Sequence, residues 1–245
     1  MPTDCLFRDD SYLHSCAARV VEINERGGIV LDRTVFYATS GGQPGDAGWL
    51  TTASGTSIPI ATAVYTDAAK SEIAHLPPEG ANISALQPGD TVTAAIDWDK
   101  RYARMRVHTA LHLLSAVLPY AVTGGSVGDG DGRLDFDIPD AGLDKDDIAA
   151  KLNQMIGSNA AVASRWISDE ELAANPGLVK TMSVQPPMGT GKVRLIEIAG
   201  LDLQPCGGTH VRSTAEIGRV AITGVEKKGK QNRRVRLALV EEHPD

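Results

Sequence analysis

Two stretches of the chain concentrate residues able to bind a metal ion: "HTALH" at 108–112 and "CGGTH" at 206–210. The whole chain has only six histidines and three cysteines. On a helix, side chains four apart stand one above the other, roughly 6 Å apart at Cβ, which gives His108 and His112 the bite of a bidentate clamp. Gly207 and Gly208 disfavour a helix and permit a sharp turn that folds the Cys206 thiolate and the His210 imidazole toward one point. Three imidazole nitrogens and one sulfur suit Zn2+, at roughly 2.0–2.3 Å, better than calcium or magnesium. The expected cofactor is therefore one zinc ion held by His108, His112, Cys206 and His210. The alternative is coincidence: two core-facing histidines, and a glycine turn that happens to be flanked by Cys and His. A zinc peptidase needs a Glu directly after the first His to act as base, and Thr109 stands there, which excludes that class. Four protein ligands usually mean structural zinc; a chemical role requires one of them, such as His210, to yield its place to substrate.

The helix that must carry the first pair is expected from about residue 100 to 118, with Asp97 or Asp99 as its cap. Met105, Ala110, Leu111, Leu114 and Leu118 form its apolar stripe, and Pro119 stops it. A second helix fits Lys145 to Ile156, and Ser168 with Glu171 forms a capping box for a short third one that ends at "NPG". Strands are expected at 133–138, 160–167, 192–199, 217–225 and 233–240. Residues 98–245 thus read as an α+β domain, helices laid on an antiparallel sheet. "GGSVGDGDG" at 124–132 reads as a flexible loop, since Arg133 stands where a calcium loop would need Asp or Asn. Before this lies different texture. "AARVVEIN", a turn at "ERGG" and "IVLDRTVFYA" read as a hairpin, and "AGWLTTA", "SIPIATAVYT" and "DTVTAAIDW" as further strands. Residues 1–97 are therefore expected to form a small β-barrel or sandwich.

Composition bounds the rest. At 245 residues, 42% hydrophobic and 22% charged, the chain can bury one large or two modest cores without disulfides. The opening "MPTDCLFRDDSY" has no apolar leader, no segment offers eighteen uninterrupted apolar residues, and Cys5, Cys16 and Cys206 make no disulfide framework, so a cytoplasmic setting is expected. His14, His75 and His243 lie outside any motif and read as surface residues. The formal net charge is −7, yet ten of the 24 basic residues sit in "KRYARMR" (100–106) and "KKGKQNRRVR" (227–236). Those runs are either solvated faces or a footprint for nucleic acid.

"HTALHLL" and "CGGTH", together with "SGGQPGDAG" at 40–48 and "WDKRYARMR" at 98–106, resemble the AlaX-type alanyl-tRNA editing proteins and the editing domain of alanyl-tRNA synthetase. The resemblance spans about residues 33–220. It implies zinc on the same four residues, and a freestanding deacylase that removes serine, or glycine, from mischarged tRNA(Ala). No class II synthetase catalytic domain fits beside these motifs, so removal rather than attachment of an amino acid is expected. The "RLDFDI" strand at 133–138 follows the family pattern, whereas "AVTGGS" puts Thr123 or Gly124 where synthetase editing domains often carry Gln. Within this reading Thr109 is the candidate to recognise the serine hydroxyl, although a helical Thr commonly bonds back to its own backbone. Gln43 and Asp46, on the "GGQPGD" turn, are expected to reach the pocket or the terminal adenosine. Arg101, Arg104, Lys227, Lys228, Lys230, Arg233 and Arg234 are expected to contact phosphates. Two other functions fit the same motifs: a noncatalytic tRNA-binding module with structural zinc, and a zinc hydrolase of another small ester or amide.

Overall fold

The computed structural model describes residues 2–138, 142–181 and 191–240, so His243 lies outside the described residues. The chain divides into two compact units, Met1–Tyr102 and Ala103–Asp245. The division falls inside the first helix rather than at its start, where the sequence texture changes.

In the first unit β1 (Asp4–Cys5), β2 (Ser15–Ile23), β3 (Ile29–Leu31), β4 (Arg33–Thr34), β5 (Gly48–Thr52), β6 (Ser57–Ile60), β7 (Thr62–Tyr65), β8 (Ile73–Leu76) and β9 (Thr91–Ile96) follow in order. Seven of them join in the order β6-β5-β9-β2-β3-β8-β7. The two edge strands, β6 and β7, are consecutive in the chain, so the sheet curls toward closure in a barrel-like form. Alternation drives this: Val92, Ala94 and Ile96 of β9 point inward, as do Leu50 of β5 and Ile58 and Ile60 of β6. They pack with Phe7, Ile29, Leu31 and Phe36 in one core. The expected hairpin is β2–β3, pairing Val20 with Leu31 and Ile23 with Ile29. "SIPIATAVYT" divides into β6 and β7, and β8 was not anticipated.

The expectation that His75 lies on the surface is corrected, because β8 turns it into the core, fully buried. Its Nδ1 meets the Ile29 carbonyl at 2.9 Å and its Nε2 the Thr34 hydroxyl at 2.8 Å. Both ring nitrogens are thus satisfied, and burial holds the ring neutral, its pKa lowered to about 4. His14 is exposed and stacks on Trp98 with ring centroids 4.0 Å apart.

Helix α1 (Trp98–Val117) starts at Asp97, whose carbonyl accepts from Arg101 N and whose Oδ1 accepts from Lys100 N. Its expected stripe is buried, but so are Val107, His108, Thr109, His112, Leu113 and Ser115. The centre of this helix is enclosed on all sides rather than amphipathic. In the second unit follow β10 (Val122–Val127), β11 (Asp131–Asp137), α2 (Lys145–Gly157), β12 (Val162–Ile167), α3 (Asp169–Ala174), β13 (Val193–Ile198), β14 (Asp202–Pro205), β15 (Val220–Lys227) and β16 (Asn232–Leu239). They form two antiparallel sheets, β10-β11-β16-β15 and β12-β13-β14. The fold is α+β. Asp144 caps α2 by accepting from Asp146 N and Asp147 N, Ile148, Leu152 and Ile156 form its buried stripe, and the Ser168–Glu171 capping box starts α3.

The expected loop at 124–132 is corrected. Residues 122–137 form the hairpin β10–β11, closed by Gly128 N donating to Asp131 O at 2.7 Å. Glycine there serves close packing: a Cβ on Gly132 would stand 2.7 Å from Val107 Cγ1 and 3.2 Å from Leu111 Cδ1. The strand can therefore lie directly against α1.

Candidate metal centre

Helix α1 presents His108 and His112 one turn apart, their ring centroids separated by 5.4 Å. The second pair leaves the end of β14. Cys206 N donates to Arg194 O, and Arg194 on β13 returns Nη1 to the carbonyls of Cys206 (3.1 Å) and Gly208 (2.9 Å). That guanidinium fixes the Gly-Gly turn, and Gly208 N points at Cys206 Sγ, 3.4 Å away. His210 then lies 4.4 Å from His108 and 4.7 Å from His112, centroid to centroid. Cys206 Sγ is 3.5 Å from His108 Nε2 and 3.3 Å from His210 Nε2. One ligand atom from each of the four residues lies within 4.8 Å of all the others. A tetrahedral ion with bonds of about 2.0–2.3 Å needs ligand atoms roughly 3.3–3.7 Å apart, so the cluster is close to the spacing a metal would impose.

The electrostatics favour a thiolate at Cys206 and a neutral ring at His210. Burial opposes a thiolate at Cys206, but the His108 and His210 imidazoles beside it hold the thiol well below its usual range. Burial and the neighbouring His108 push His210 down to about 3, so its ring is neutral. Burial also disfavours a charged His112, yet the Asp202 carboxylate outweighs it and holds the ring up at about 9, so that a metal ligated at Nε2 must displace the proton there. Asp202 is itself held below the usual carboxylate range: burial opposes this, and His112 prevails.

Thr109 is fully buried. Its hydroxyl donates to Met105 O at 2.8 Å, and its oxygen faces His210 Nδ1 at 3.2 Å and accepts from Val211 N at 3.3 Å. One donor and two acceptor positions exhaust a hydroxyl. The hydroxyl expected to read a substrate is thus engaged by Met105, Val211 and His210.

The other expected site residues are placed differently. In the first unit the "GGQPGD" segment turns at Gly41 and Gly42, both at positive φ, with Ser40 and Gln43 exchanging backbone hydrogen bonds. Gln43 and Asp46 are buried. Asp46 accepts from Tyr37 N and forms a two-pronged ion pair with Arg101. Arg101, expected at a phosphate, is fully buried and spends its remaining donors on the carbonyls of Ser11 and Val35; its reading is corrected to an internal clamp. In the second unit Arg104 is buried and pairs with Asp129 at 2.5 Å. Arg233 is buried on backbone carbonyls, and Arg234 is bidentate to Asp135. Of the expected phosphate contacts, Lys227, Lys228 and Lys230 are exposed.

Three residues around the site went unanticipated: Arg194, Gln204 and Asp202. The signal for the last was a carboxylate four residues before Cys206, since ligating imidazoles commonly lean on one.

Comparison with known proteins settles the kinship. The AlaX-M alanyl-tRNA editing protein of Methanosarcina mazei is 35% identical over 252 aligned positions, covering 98% of this chain and 98% of the relative. This chain belongs to the AlaX-M alanyl-tRNA editing family. The AlaX-M protein of Saccharolobus solfataricus is 32% identical over 95% of this chain and 97% of its own. The alanine–tRNA ligase of Pyrobaculum aerophilum is 32% identical over 91% of this chain, but only 25% of the ligase is involved. Residues 193–236 match the family described as the threonyl and alanyl tRNA synthetase second additional domain. Residues 11–100 match the family described as tRNA synthetases class II (A), and that match falls on the barrel-like unit.

Proposed function

We propose that this AlaX-M chain is a trans-editing deacylase: it hydrolyses the ester of mischarged Ser-tRNA(Ala), and of Gly-tRNA(Ala), at a centre holding one zinc ion. The observation that carries the reading is the convergence of His108, His112, Cys206 and His210, with one ligand atom of each within 4.8 Å of the rest, in a chain whose full-length relatives are named alanyl-tRNA editing proteins. The donor set of three imidazoles and one thiolate favours zinc over hard cations. Zinc, when bound, supplies positive charge able to polarise an ester carbonyl and a nearby water.

The chain's own residues supply the frame. Cys206 enters the site as a thiolate, His210 as a neutral ring braced by Thr109, and His112 braced by Asp202. Gln43 and Asp46 act by shaping their loop, since both are buried and Asp46 is committed to Arg101. The tRNA backbone is read by the exposed Lys227, Lys228 and Lys230.

The test is hydrolysis of Ser-, Gly- and Ala-tRNA(Ala) by the wild type and Cys206→Ala, with metal analysis of both. Expected are release of serine and glycine but not alanine, and a loss of at least about 100-fold in the variant together with its zinc. Equal hydrolysis of Ala-tRNA(Ala), or full activity without metal, refutes the reading. Binding of tRNA(Ala) without any turnover would assign the centre a structural role in a noncatalytic module.

A further inference from the structure

Asp202 opens β14, a strand that carries none of the four candidate ligands, and its side chain is fully buried. A buried carboxylate is unfavourable unless its oxygens are fully engaged, and here they are. Oδ2 lies 3.0 Å from His112 Nδ1 and accepts from Gln204 Nε2 at 2.7 Å, while Oδ1 accepts from Lys180 Nζ at 2.5 Å. Gln204 Nε2 also reaches Ser115 Oγ at 3.1 Å, and that hydroxyl donates to His112 O at 2.8 Å. The loop of contacts closes on itself: ring to carboxylate, carboxylate to amide, amide to hydroxyl, and hydroxyl back to the carbonyl of the same histidine. His112 is thereby gripped by ring and backbone at once. A carboxylate on Nδ1 fixes the proton there and leaves the Nε2 lone pair as the only ring atom able to ligate. His210 is oriented on the same plan, with Thr109 in the carboxylate's place.

From this geometry we infer that Asp202 is the positioning residue of the metal centre: it sets the tautomer and aim of His112, with Gln204, Ser115 and Lys180 holding Asp202 itself. The inference rests on the reading of the four residues as a metal centre. Asp202 acts through His112 and does not itself reach substrate.

The test uses the full-length protein and Zn2+ alone. Zinc affinity is measured by competition with a chromophoric chelator, and the His112 ring is observed by long-range 1H–15N NMR of the zinc-loaded wild type. Asp202→Asn is expected to keep one zinc per chain but to bind it about 10- to 100-fold more weakly. The wild-type His112 is expected to carry zinc on Nε2 and an exchange-protected proton on Nδ1, a signature that does not depend on any variant folding. Zinc on Nδ1, an unprotected Nδ1 proton, or an Asp202→Asn protein that binds zinc within about twofold of wild type overturns the inference. A wild type that takes up no zinc, with Cys206→Ala changing nothing, refutes the metal centre itself.

Discussion

At the scale of single residues, the cluster of His108, His112, Cys206 and His210 was legible because each pair is spaced within one local element. A helix or a turn makes four-residue spacing into proximity without any knowledge of the fold. Asp202 was not legible in its role, since its partner His112 stands 90 residues away and only the tertiary fold makes them meet. Arg101 shows the converse. A basic run suggests a solvated face, yet one of its members is, among the described residues, the largest fully buried side chain, because Asp46 and two carbonyls engage its guanidinium. Removing it strands a buried carboxylate. Arg101→Met is expected to cost about 3–5 kcal/mol in denaturant unfolding while leaving the salt dependence of tRNA binding unchanged; a loss of affinity at unchanged stability would return Arg101 to the RNA. His75 gives a pH signature. Its folded pKa of about 4 lies below the ordinary imidazole value of 6.5, so its contribution is complete above about pH 6.5 and disappears as the pH falls through 4. The span is worth about 3 kcal/mol. His75→Gln is expected to flatten that part of the stability profile relative to wild type in paired unfolding titrations, and parallel profiles would contradict it.

At the scale of elements, the periodic segments were read correctly and the glycine-rich one was not. α3 announces itself through Ser168 and Glu171, and β9 through alternation. The middle of β10 (Gly124, Gly125, Ser126) and the start of β11 (Asp131, Gly132) lack side chains of high strand propensity, so a reading weighted by propensity makes them a loop. What selects Gly132 is contact with a helix, a tertiary cause that no local window contains. Gly132→Ala tests it: with Val107 Cγ1 at 2.7 Å from the new methyl, destabilisation of about 1–3 kcal/mol is expected from overpacking. Wild-type stability in that variant would show that the helix and strand can part at no cost.

At the scale of the whole molecule, charge and use are separated. The chain is net acidic by seven, and part of the 227–236 run is neutralised internally: Arg234 by Asp135, and Arg236 by Glu226. What projects is the lysine tip between β15 and β16. Replacing Lys227, Lys228 and Lys230 with Ala is expected to weaken tRNA binding and flatten the slope of log K against log salt by about two, with stability unchanged; an unaltered slope would place the RNA elsewhere. The class of the fold was legible at this scale, whereas the division of the second unit into two sheets was not, since β14 is short and ends in Pro205. That short strand pairs with β13, whose Arg194 sits opposite Trp166 of β12. Side chains on a strand change face at every step, so sliding β13 by a single residue would swing the guanidinium away from the Cys206 and Gly208 carbonyls it holds. The bite of a soft-ligand chelate is therefore written in the pairing of three strands, and assembling that small sheet in register is a precondition for the thiolate to meet its three imidazoles.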